Sequence, residues 1–574
     1  MSNLLPLAAA VVAILILPGW SFSYDVIPKV VVVLLAVGQA ILSPAWKYSR
    51  PFTYLIYAQI ATTVLAVLFS THPQLSWLGG TWRRSGVIAE AAVLLLGLAI
   101  AAVPRERVLR ITVIGALPVA LYGILQYFGL DPLIDSKLYH VGEGAFQIVR
   151  PPSTLGHADY FATFLLFPIF AGAALTLSET TRVWKIAALA ISGVSTLALV
   201  LSGTRAALLG LIVGAIFVAI RGRSANRKWF ASAAGLLVIV AAIYISPAGE
   251  KLRARVHWST EDRFGGARPL LWLDSLRMSR EHLLVGFGPE TFAREFPRHQ
   301  SVALAAAYPD FYHESPHNIF LDALVSKGIL GLLPVIAMAV LGLSLARGAI
   351  GGAFVAMLVS QQFTSFTIAT ELYLVLSISF LTVGGGPPGP RGTPSSRLLK
   401  VALALPFAAF AIYLAIGDAL LASALRAVNR ADFNSAALLQ ERASKWGATA
   451  DLNFSRRMLA KSQSLPDPAD HLRGFLFAKQ AALRAPATSE DRHNALVNLA
   501  AFYAVENNEV MVERCLRDAI DAAPNWFKPH WLLAQVLARA NRQNEAILEA
   551  RRAVECDGGK NPEVTQTLRF LEGQ

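Results

Sequence analysis

The sequence is poor in cysteine and in charged residues. Its 574 residues contain two cysteines, Cys515 and Cys556, which lie outside any C-x-x-C spacing. This pattern excludes a disulfide framework and a cysteine metal site, so we expect both to be small core residues. Charged residues make up 16% of the chain, whereas hydrophobic residues make up 55%. Most of the chain must therefore be solvated by lipid, and we predict an integral membrane protein.

The formal net charge of +13 would suggest a nucleic-acid partner in a soluble protein. Here Lys and Arg collect in short loops between apolar runs, so the charge reflects membrane topology and we expect no nucleic acid. The apolar runs are close to the length that crosses a core of about 30 Å. We predict an all-α transmembrane bundle of twelve to thirteen spans, at residues 4–20, 27–44, 52–70, 86–103, 108–128, 158–178, 184–201, 204–220, 230–246, 317–345, 349–366, 370–383 and 400–421.

Positive charge also predicts the orientation of these spans. Lys and Arg follow the even-numbered spans. Since loops rich in Lys and Arg stay in the cytoplasm, we expect a cytoplasmic N-terminus and outward odd-numbered loops. The long loops all fall on the outward side, at residues 71–85, 129–157 and 247–316. An odd number of spans places everything after residue 421 on that side as well.

The sequence beyond residue 421 is helical and repeats itself. Leu499-Ala500 aligns with Leu533-Ala534 at an offset of thirty-four residues. This is the tetratricopeptide period, in which paired helices stack on their neighbours. We therefore predict a TPR-like domain over residues 422–574 and a transmembrane domain over residues 1–421, which includes loop 247–316. A repeat domain usually binds a protein partner on its concave surface, and a helical cap without a partner is the alternative.

The loop stretch YHESPHN, residues 312–318, contains the zinc-protease spelling H-E-x-x-H. That site needs a continuous helix so that both imidazoles face one metal, and Pro316 would break such a helix. We therefore expect no metal and no other cofactor. Pro316 instead suits the first position of a transmembrane helix with Ser315 as N-cap, which would place His317 in the first turn. There the helix dipole disfavours imidazolium, so we expect a neutral His317 that can accept a proton. An interfacial histidine bonded to loop backbone is the alternative.

Three arginines lie on the same outward side as His317. Arg150 precedes the sixth span, Arg205 lies in the turn between the seventh and eighth spans, and Arg268 begins an amphipathic segment of the large loop. The positive-inside rule disfavours arginine at these places. Because guanidinium offers several donors in one plane, it suits phosphate oxygens. The cluster therefore indicates a lipid-linked phosphate or diphosphate beside a proton acceptor, although snorkelling or an acidic neighbour would explain any single arginine.

Three segments carry a resemblance to a known family. SGTRAALLGL, ARPLLWLDSLRMSREHLLVGFGPETF and HNIFLDALVSKGILGLL occur in this order. Together they resemble the O-antigen ligase and polymerase superfamily of bacterial membrane glycosyltransferases, over roughly residues 70–385. The patterns that carry the match are G-F-G-x-x-x-F and H-N-x-x-L followed by a glycine seven residues later. A tetratricopeptide tail is common in such proteins.

The resemblance implies a metal-independent glycosyltransferase at the periplasmic face of the bacterial inner membrane. Its donor would be a glycan on undecaprenyl diphosphate, and an acceptor hydroxyl would attack with inversion. By position, the resemblance implies that Arg205 and Arg268 hold the diphosphate and that His317 deprotonates the acceptor.

Other residues near these segments are weaker candidates for substrate binding, or the resemblance assigns them no role. Arg150 and the Arg83-Arg84 pair are weaker candidates for substrate binding. Four tryptophans offer rings for sugars, although an interfacial belt is the better explanation for each: Trp77, Trp82, Trp258 and Trp272. The resemblance implies no role for three further polar residues: His157, His313 and Glu314.

Alternative functions stay open at this point. The acceptor could be lipid A-core, a growing glycan or a protein, so a polysaccharide polymerase of the same superfamily is the nearest alternative. A transporter of lipid-linked glycan would bind its cargo through the same arginines without reaction, but transporters usually place charges near the bilayer midplane. A membrane-anchored scaffold would leave the outward arginines unexplained.

Overall fold

The computed structural model is almost entirely helical. Among the described residues it has 24 α-helices and one pair of two-residue antiparallel strands, in which His140 lies opposite Val149. The predicted all-α class is therefore confirmed. The residues that the structure describes are 4–42, 50–141, 148–221, 266–382 and 394–573, with isolated positions between 242 and 253.

Helices lie at twelve of the thirteen predicted spans. The remaining span, at residues 230–246, lies almost wholly outside the described residues. The first nine helices are α1 (Leu4–Ile14), α2 (Ile27–Leu42), α3 (Arg50–Leu68), α4 (Pro73–Leu78), α5 (Val87–Ala101), α6 (Arg105–Tyr127), α7 (Ala158–Ser178), α8 (Arg182–Leu201) and α9 (Arg205–Arg221). The next seven are α10 (Arg268–Ser279), α11 (Phe292–His299), α12 (Val302–Ala307), α13 (Ile319–Leu345), α14 (Gly348–Ser360), α15 (Ile368–Thr382) and α16 (Pro394–Asn429).

The membrane helices differ in length. Within the described part of the chain, six are long and apolar enough to cross a membrane: α3, α6, α7, α8, α13 and α16. Five shorter apolar helices accompany them: α1, α2, α5, α14 and α15. A chain with this many apolar helices is a multi-pass membrane protein, as predicted from composition.

Helix α7 lies at the centre of the apolar core. Its Phe161, Phe164 and Phe167 side chains are fully buried. The Phe164 ring meets the ring of Tyr373 on α15 edge to face, with centroids 5.0 Å apart. The Tyr373 hydroxyl donates to the carbonyl of Ala9 on α1 at 3.0 Å. These contacts fix α7 from several sides, so its N-terminus is a firm anchor for side chains near residue 157.

Helix α13 is broken in the middle by Gly328, which has φ 64° and ψ −167°. A Cβ atom there would lie 2.3 Å from the backbone carbonyl carbon of Leu284. Gly286 approaches from the other side, and its Cβ would lie 2.4 Å from helix backbone. The Ile329 N–H donates to the Leu283 carbonyl at 2.8 Å. The glycines of the two sequence patterns therefore let the loop backbone insert directly into the helix break.

Helix α16 joins the membrane bundle to the C-terminal region. It runs without interruption from Pro394 to Asn429, so the predicted domain boundary at 421/422 falls inside it. Asp418 on this helix accepts hydrogen bonds from the Phe22 N–H at 3.0 Å and the Ser23 N–H at 2.9 Å. The helix is thereby tied to the segment between α1 and α2.

The C-terminal region is a stack of helices in which consecutive helices pack against each other. Cys515 and Cys556 are buried and not disulfide-bonded, in agreement with the prediction. Assignment of the stack to the tetratricopeptide class stays a prediction. Its helices are α17 (Phe433–Ser444), α18 (Asp451–Gln463), α19 (Pro468–Thr488), α20 (Arg492–Val505), α21 (Glu509–Ala522), α22 (Phe527–Arg539), α23 (Gln543–Asp557) and α24 (Pro562–Glu572).

The helical stack lies against the segment between α10 and α13. Arg294 Nη1 donates to the Ser489 carbonyl at 2.8 Å, and Asn525 Nδ2 donates to the Gln300 carbonyl at 2.6 Å. In both contacts a side chain donates to a backbone carbonyl. They fix the stack against this segment, and each depends on the identity of only one side chain.

Candidate functional site

A cavity of about 1030 Å³ lies where four helices begin. Its lining includes His157, Arg205, Arg268 and His317, each at or within two residues of the start of α7, α9, α10 or α13. The N-terminus of a helix carries positive partial charge and N–H groups without partners in the helix. Four such ends around one cavity favour an anionic ligand. The meeting of four helix N-termini depends on tertiary structure, so it was not part of the prediction from the sequence.

The predicted arginine cluster is present in this cavity. Arg150, Arg205 and Arg268 all line it. Arg150 Nη2 donates to Asp159 Oδ1 at 2.9 Å, and Thr204 Oγ1 lies 3.2 Å from the same oxygen. Asp159 therefore positions Arg150 and ties α7 to the turn before Arg205. Sequence reasoning missed Asp159, for which the available signal was an acidic residue in the first turn of a span.

Two further carboxyl groups, those of Asp25 and Glu314, line the cavity. Burial raises the pKa of Asp25, and the charge of Lys29 partly opposes this. Burial likewise raises the pKa of Glu314, with Arg83 opposing. Because burial disfavours the charged form of both carboxyls, they offset less of the arginine charge than exposed carboxylates would.

His317 lies before helix α13, so its predicted place in the first turn is wrong. The N-cap is Asn318 rather than Ser315: Asn318 Oδ1 accepts from Phe320 N–H at 3.0 Å and Leu321 N–H at 3.1 Å. Asn caps helices as well as Ser does, and the φ of 52° at His317 is incompatible with a helix. A left-handed residue other than glycine costs about 1–2 kcal/mol. Such strain clusters at functional sites.

Two serine hydroxyls hold the His317 ring. Its Nδ1 lies 3.3 Å from Ser365 Oγ and 3.5 Å from Ser315 Oγ, and the two hydroxyls also bond to each other. No described residue bonds to Nε2. Burial lowers the pKa of His317 to about 4, and the positive charge of Arg268 adds to this. The ring is therefore neutral at pH 7, through burial rather than through the helix dipole on which the prediction relied.

The H-E-x-x-H spelling does not form a shared helical face. Residues 311–318 are irregular, as expected from Pro316. His313 is buried, and its Nε2 has no hydrogen-bond partner in the described part of the chain. Burial lowers its pKa to about 4. His313 lines the cavity with its neighbour Glu314, and the structure brings both beside His317 without a hydrogen bond that would define their roles.

Arg83 and Arg84 are buried and are not among the residues that line this cavity. Arg83 Nε donates to Glu290, and its Nη1 lies 3.2 Å from Asp322 Oδ2. Trp82 does line the cavity, and the Arg83 guanidinium lies 4.6 Å from the centre of its ring. Arg83 thus contacts a lining residue, and direct contact of Arg83 or Arg84 with a substrate stays a prediction.

The tryptophans that sequence analysis considered for sugar stacking have different surroundings. Trp272 Nε1 donates to the Pro316 carbonyl at 3.0 Å, and its ring lies 6.1 Å from that of Phe363. Trp272 therefore holds the chain next to His317 in place. Trp77 lies on α4 and is 42% exposed, whereas Trp258 is outside the described residues.

A second polar cluster lies deeper, between α5, α13 and α15. Lys327 Nζ is 2.7 Å from Glu90 Oε1, and Gln59 Nε2 donates to the same oxygen at 2.8 Å. Glu371 lines the small cavity of about 80 Å³ that adjoins this pair. Charged groups inside apolar helices are costly and are usually paired. The signal in the sequence was a charged residue within each of three apolar runs.

Comparison with known proteins agrees with the resemblance seen in the sequence. A family model described as O-antigen ligase matches residues 187–336, a range that contains Arg205, Arg268 and His317. No curated protein matches the chain. Residues 187–336 of this multi-pass membrane protein are thus similar to an O-antigen ligase domain, which supports the O-antigen ligase superfamily.

Proposed function

We propose that the protein transfers a glycan from undecaprenyl diphosphate to an acceptor hydroxyl, by an inverting reaction without a metal. The observation that carries this proposal is the single cavity in which four helix N-termini, three arginines and the neutral His317 meet. Helix N-termini and guanidinium groups suit a diphosphate. A neutral imidazole suits proton abstraction.

Arg205 and Arg268 hold the donor diphosphate in this proposal, and Arg150 supports them from the position set by Asp159. As the bond between sugar C1 and the diphosphate oxygen breaks, its electron pair stays on the leaving group. Preorganised positive charge stabilises that developing anion without reorganisation.

His317 acts on the acceptor. The acceptor oxygen bonds to C1 from the face opposite the diphosphate, and its proton passes to Nε2 of His317. Nδ1 stays with Ser315 and Ser365, which keep the ring from turning. A lipid-embedded donor requires a site close to the membrane surface, so we place the cavity at the periplasmic face of a bacterial inner membrane.

Transfer by purified protein tests the proposal. The protein is incubated with an undecaprenyl diphosphate-linked glycan and a chelator, and lipid A-core, free glycan or a protein is supplied as acceptor. We expect covalent transfer to one of the three, which also separates ligase from polymerase. Arg268→Gln should lower kcat by about 10²–10³, as expected for loss of one electrostatic stabiliser.

Arg277→Gln is the matched control, since Arg277 lies on the same helix α10 with a 56% exposed side chain and pairs with Asp274. It should transfer glycan as the parent does. Equal rates for Arg268→Gln and the parent would remove Arg268 from the reaction. If the donor crosses the proteoliposome membrane and no new covalent bond forms, the protein is a transporter and the proposal is wrong.

A further inference from the structure

The C-terminal helical stack reaches the membrane domain with a buried carboxylate. Glu490 lies in the short linker between α19 and α20 and is 8% exposed. Its Oε1 accepts a hydrogen bond from the Thr81 N–H, across 409 positions of sequence. Its Oε2 lies so close to Gly80 that a Cβ atom there would be 2.8 Å away. The stack therefore holds the backbone of a loop that belongs to the membrane domain.

That loop, residues 79–86, is a tight turn. Gly79 has φ 80°, and the Arg84 N–H donates to the Gly80 carbonyl at 3.0 Å. The Gly80 N–H donates to Glu290 Oε2 at 2.9 Å. Two consecutive backbone N–H groups are thus held by two carboxylates, one from the membrane domain and one from the helical stack. Removal of either carboxylate leaves one of these two N–H groups without its acceptor.

The same turn carries Trp82 into the large cavity. Trp82 follows Thr81 directly, so the Thr81 bond fixes the backbone on which the indole stands. The Arg83 guanidinium also contacts the ring, 4.6 Å from its centre. Helix α20, which follows the linker, contacts a second lining residue, since the His493 ring lies 6.2 Å from that of Tyr312.

We propose that Glu490 is a positioning residue, which holds the Thr81-Trp82 turn so that the Trp82 ring forms one wall of the donor cavity. An indole face stacks well on the apolar face of a sugar ring, so the ligand of this wall is the sugar part of the donor. The identity of that ligand rests on the proposed function, whereas the positioning itself does not.

Donor kinetics test the proposal with four variants. Glu490→Ala removes the acceptor of the Thr81 N–H, so KM for the donor should rise about tenfold, the cost of losing a hydrogen bond to a charged group, with kcat nearly unchanged. Glu490→Gln keeps an oxygen for Thr81 and should rescue KM. Glu490→Asp keeps a carboxyl group but shortens its reach, so it should raise KM as Glu490→Ala does. It provides the same test if Glu490→Ala does not fold. Glu506→Ala, which removes the partner of Lys479 in the same stack, is the control.

A double-mutant cycle tests whether Glu490 acts through Trp82. Trp82→Ala should raise donor KM, and addition of Glu490→Ala should raise it no further, because residues that act as a unit are not additive. Additive effects, or a KM that Glu490→Ala leaves unchanged while kcat falls, would overturn the proposal.

Hydrogen exchange gives a measure that does not depend on activity. The Thr81 amide should exchange slowly in the full-length parent and in Glu490→Gln, and faster in Glu490→Ala and Glu490→Asp. Protection that is the same in all four proteins would refute the positioning. If the parent transfers no glycan yet the protection follows this order, the proposed function fails while the positioning role stands.

Discussion

The pH dependence of the reaction should reveal a histidine of unusually low pKa. Burial lowers the pKa of His317 from its ordinary 6.5 to about 4. At pH 5.5 the ring would be about 97% neutral with the lowered pKa, whereas it would be about 9% neutral with the ordinary one. If His317 is the base, kcat/KM for the acceptor should therefore be nearly constant from pH 8 to 5.5. It should fall only as the pH approaches 4.

The assay follows product formation at low acceptor concentration over this range, because kcat/KM reports ionisation of the free enzyme. A fall of about tenfold between pH 7.5 and 5.5 would refute the assignment of a buried His317. His317→Ala should lose about 10²–10⁴ in rate at every pH.

Folding must be measured alongside. The folded-state pKa of His317 and of His313 lies below the unfolded value, so their contribution to stability is present above pH 6.5 and is lost as the pH falls towards 4. At pH 5.5 each of the two histidines lowers the free energy of unfolding by about 1.4 kcal/mol, relative to a pH well above 6.5. Unfolding temperatures at each pH therefore separate loss of the base from loss of the fold.

Two further predictions concern the membrane helices. Lys327→Met leaves Glu90 buried without its cationic partner and should lower the free energy of unfolding by about 3–5 kcal/mol, seen as a lower unfolding temperature in detergent. The double variant Lys327→Met/Glu90→Gln should recover most of this loss. If it recovers none, the two residues do not stabilise the protein as a pair. Gly328→Ala adds about 1–3 kcal/mol of backbone strain and a collision with Leu284, so little folded protein should be recovered. Gly348 also has a positive φ of 55° but nothing within 4 Å of an added Cβ, so Gly348→Ala should lose stability from strain alone. Equal yields of the two variants would contradict the role of the helix break.

Much of the site follows from span ends alone. Once the apolar runs are placed, Arg150, Arg205 and His317 lie next to span ends and Arg268 lies in the loop before His317, and the structure brings all four to one cavity. Their proximity could be predicted because a helix that crosses a membrane fixes where both its ends lie, whereas their roles stay a prediction. The neutral state of His317 was also expected, although for a different physical reason.

The sequence analysis chose the wrong N-cap for α13, where two residues compete for that position, and it missed contacts that depend on the tertiary structure. Ser315 and Asn318 are comparable N-caps, so the choice between them is made by the left-handed backbone at His317 rather than by residue type. The Asp159 bond to Arg150 spans nine positions but needs the bend before α7. The Glu490 bond to Thr81 joins the C-terminal helical stack to the loop between α4 and α5, and no sequence periodicity predicts such a contact.

The interlocked backbone at Gly286 and Gly328 limits how this protein can be recombined with others. Because the loop enters the break in α13 through main-chain hydrogen bonds, the two segments are one building block even though a span end separates them in sequence. A chimera that takes the loop before α13 from one parent and α13 itself from another would mismatch both glycine contacts at once. Crossover points in such chimeras therefore belong before α10 or after α13, so that the loop and the helix come from the same parent.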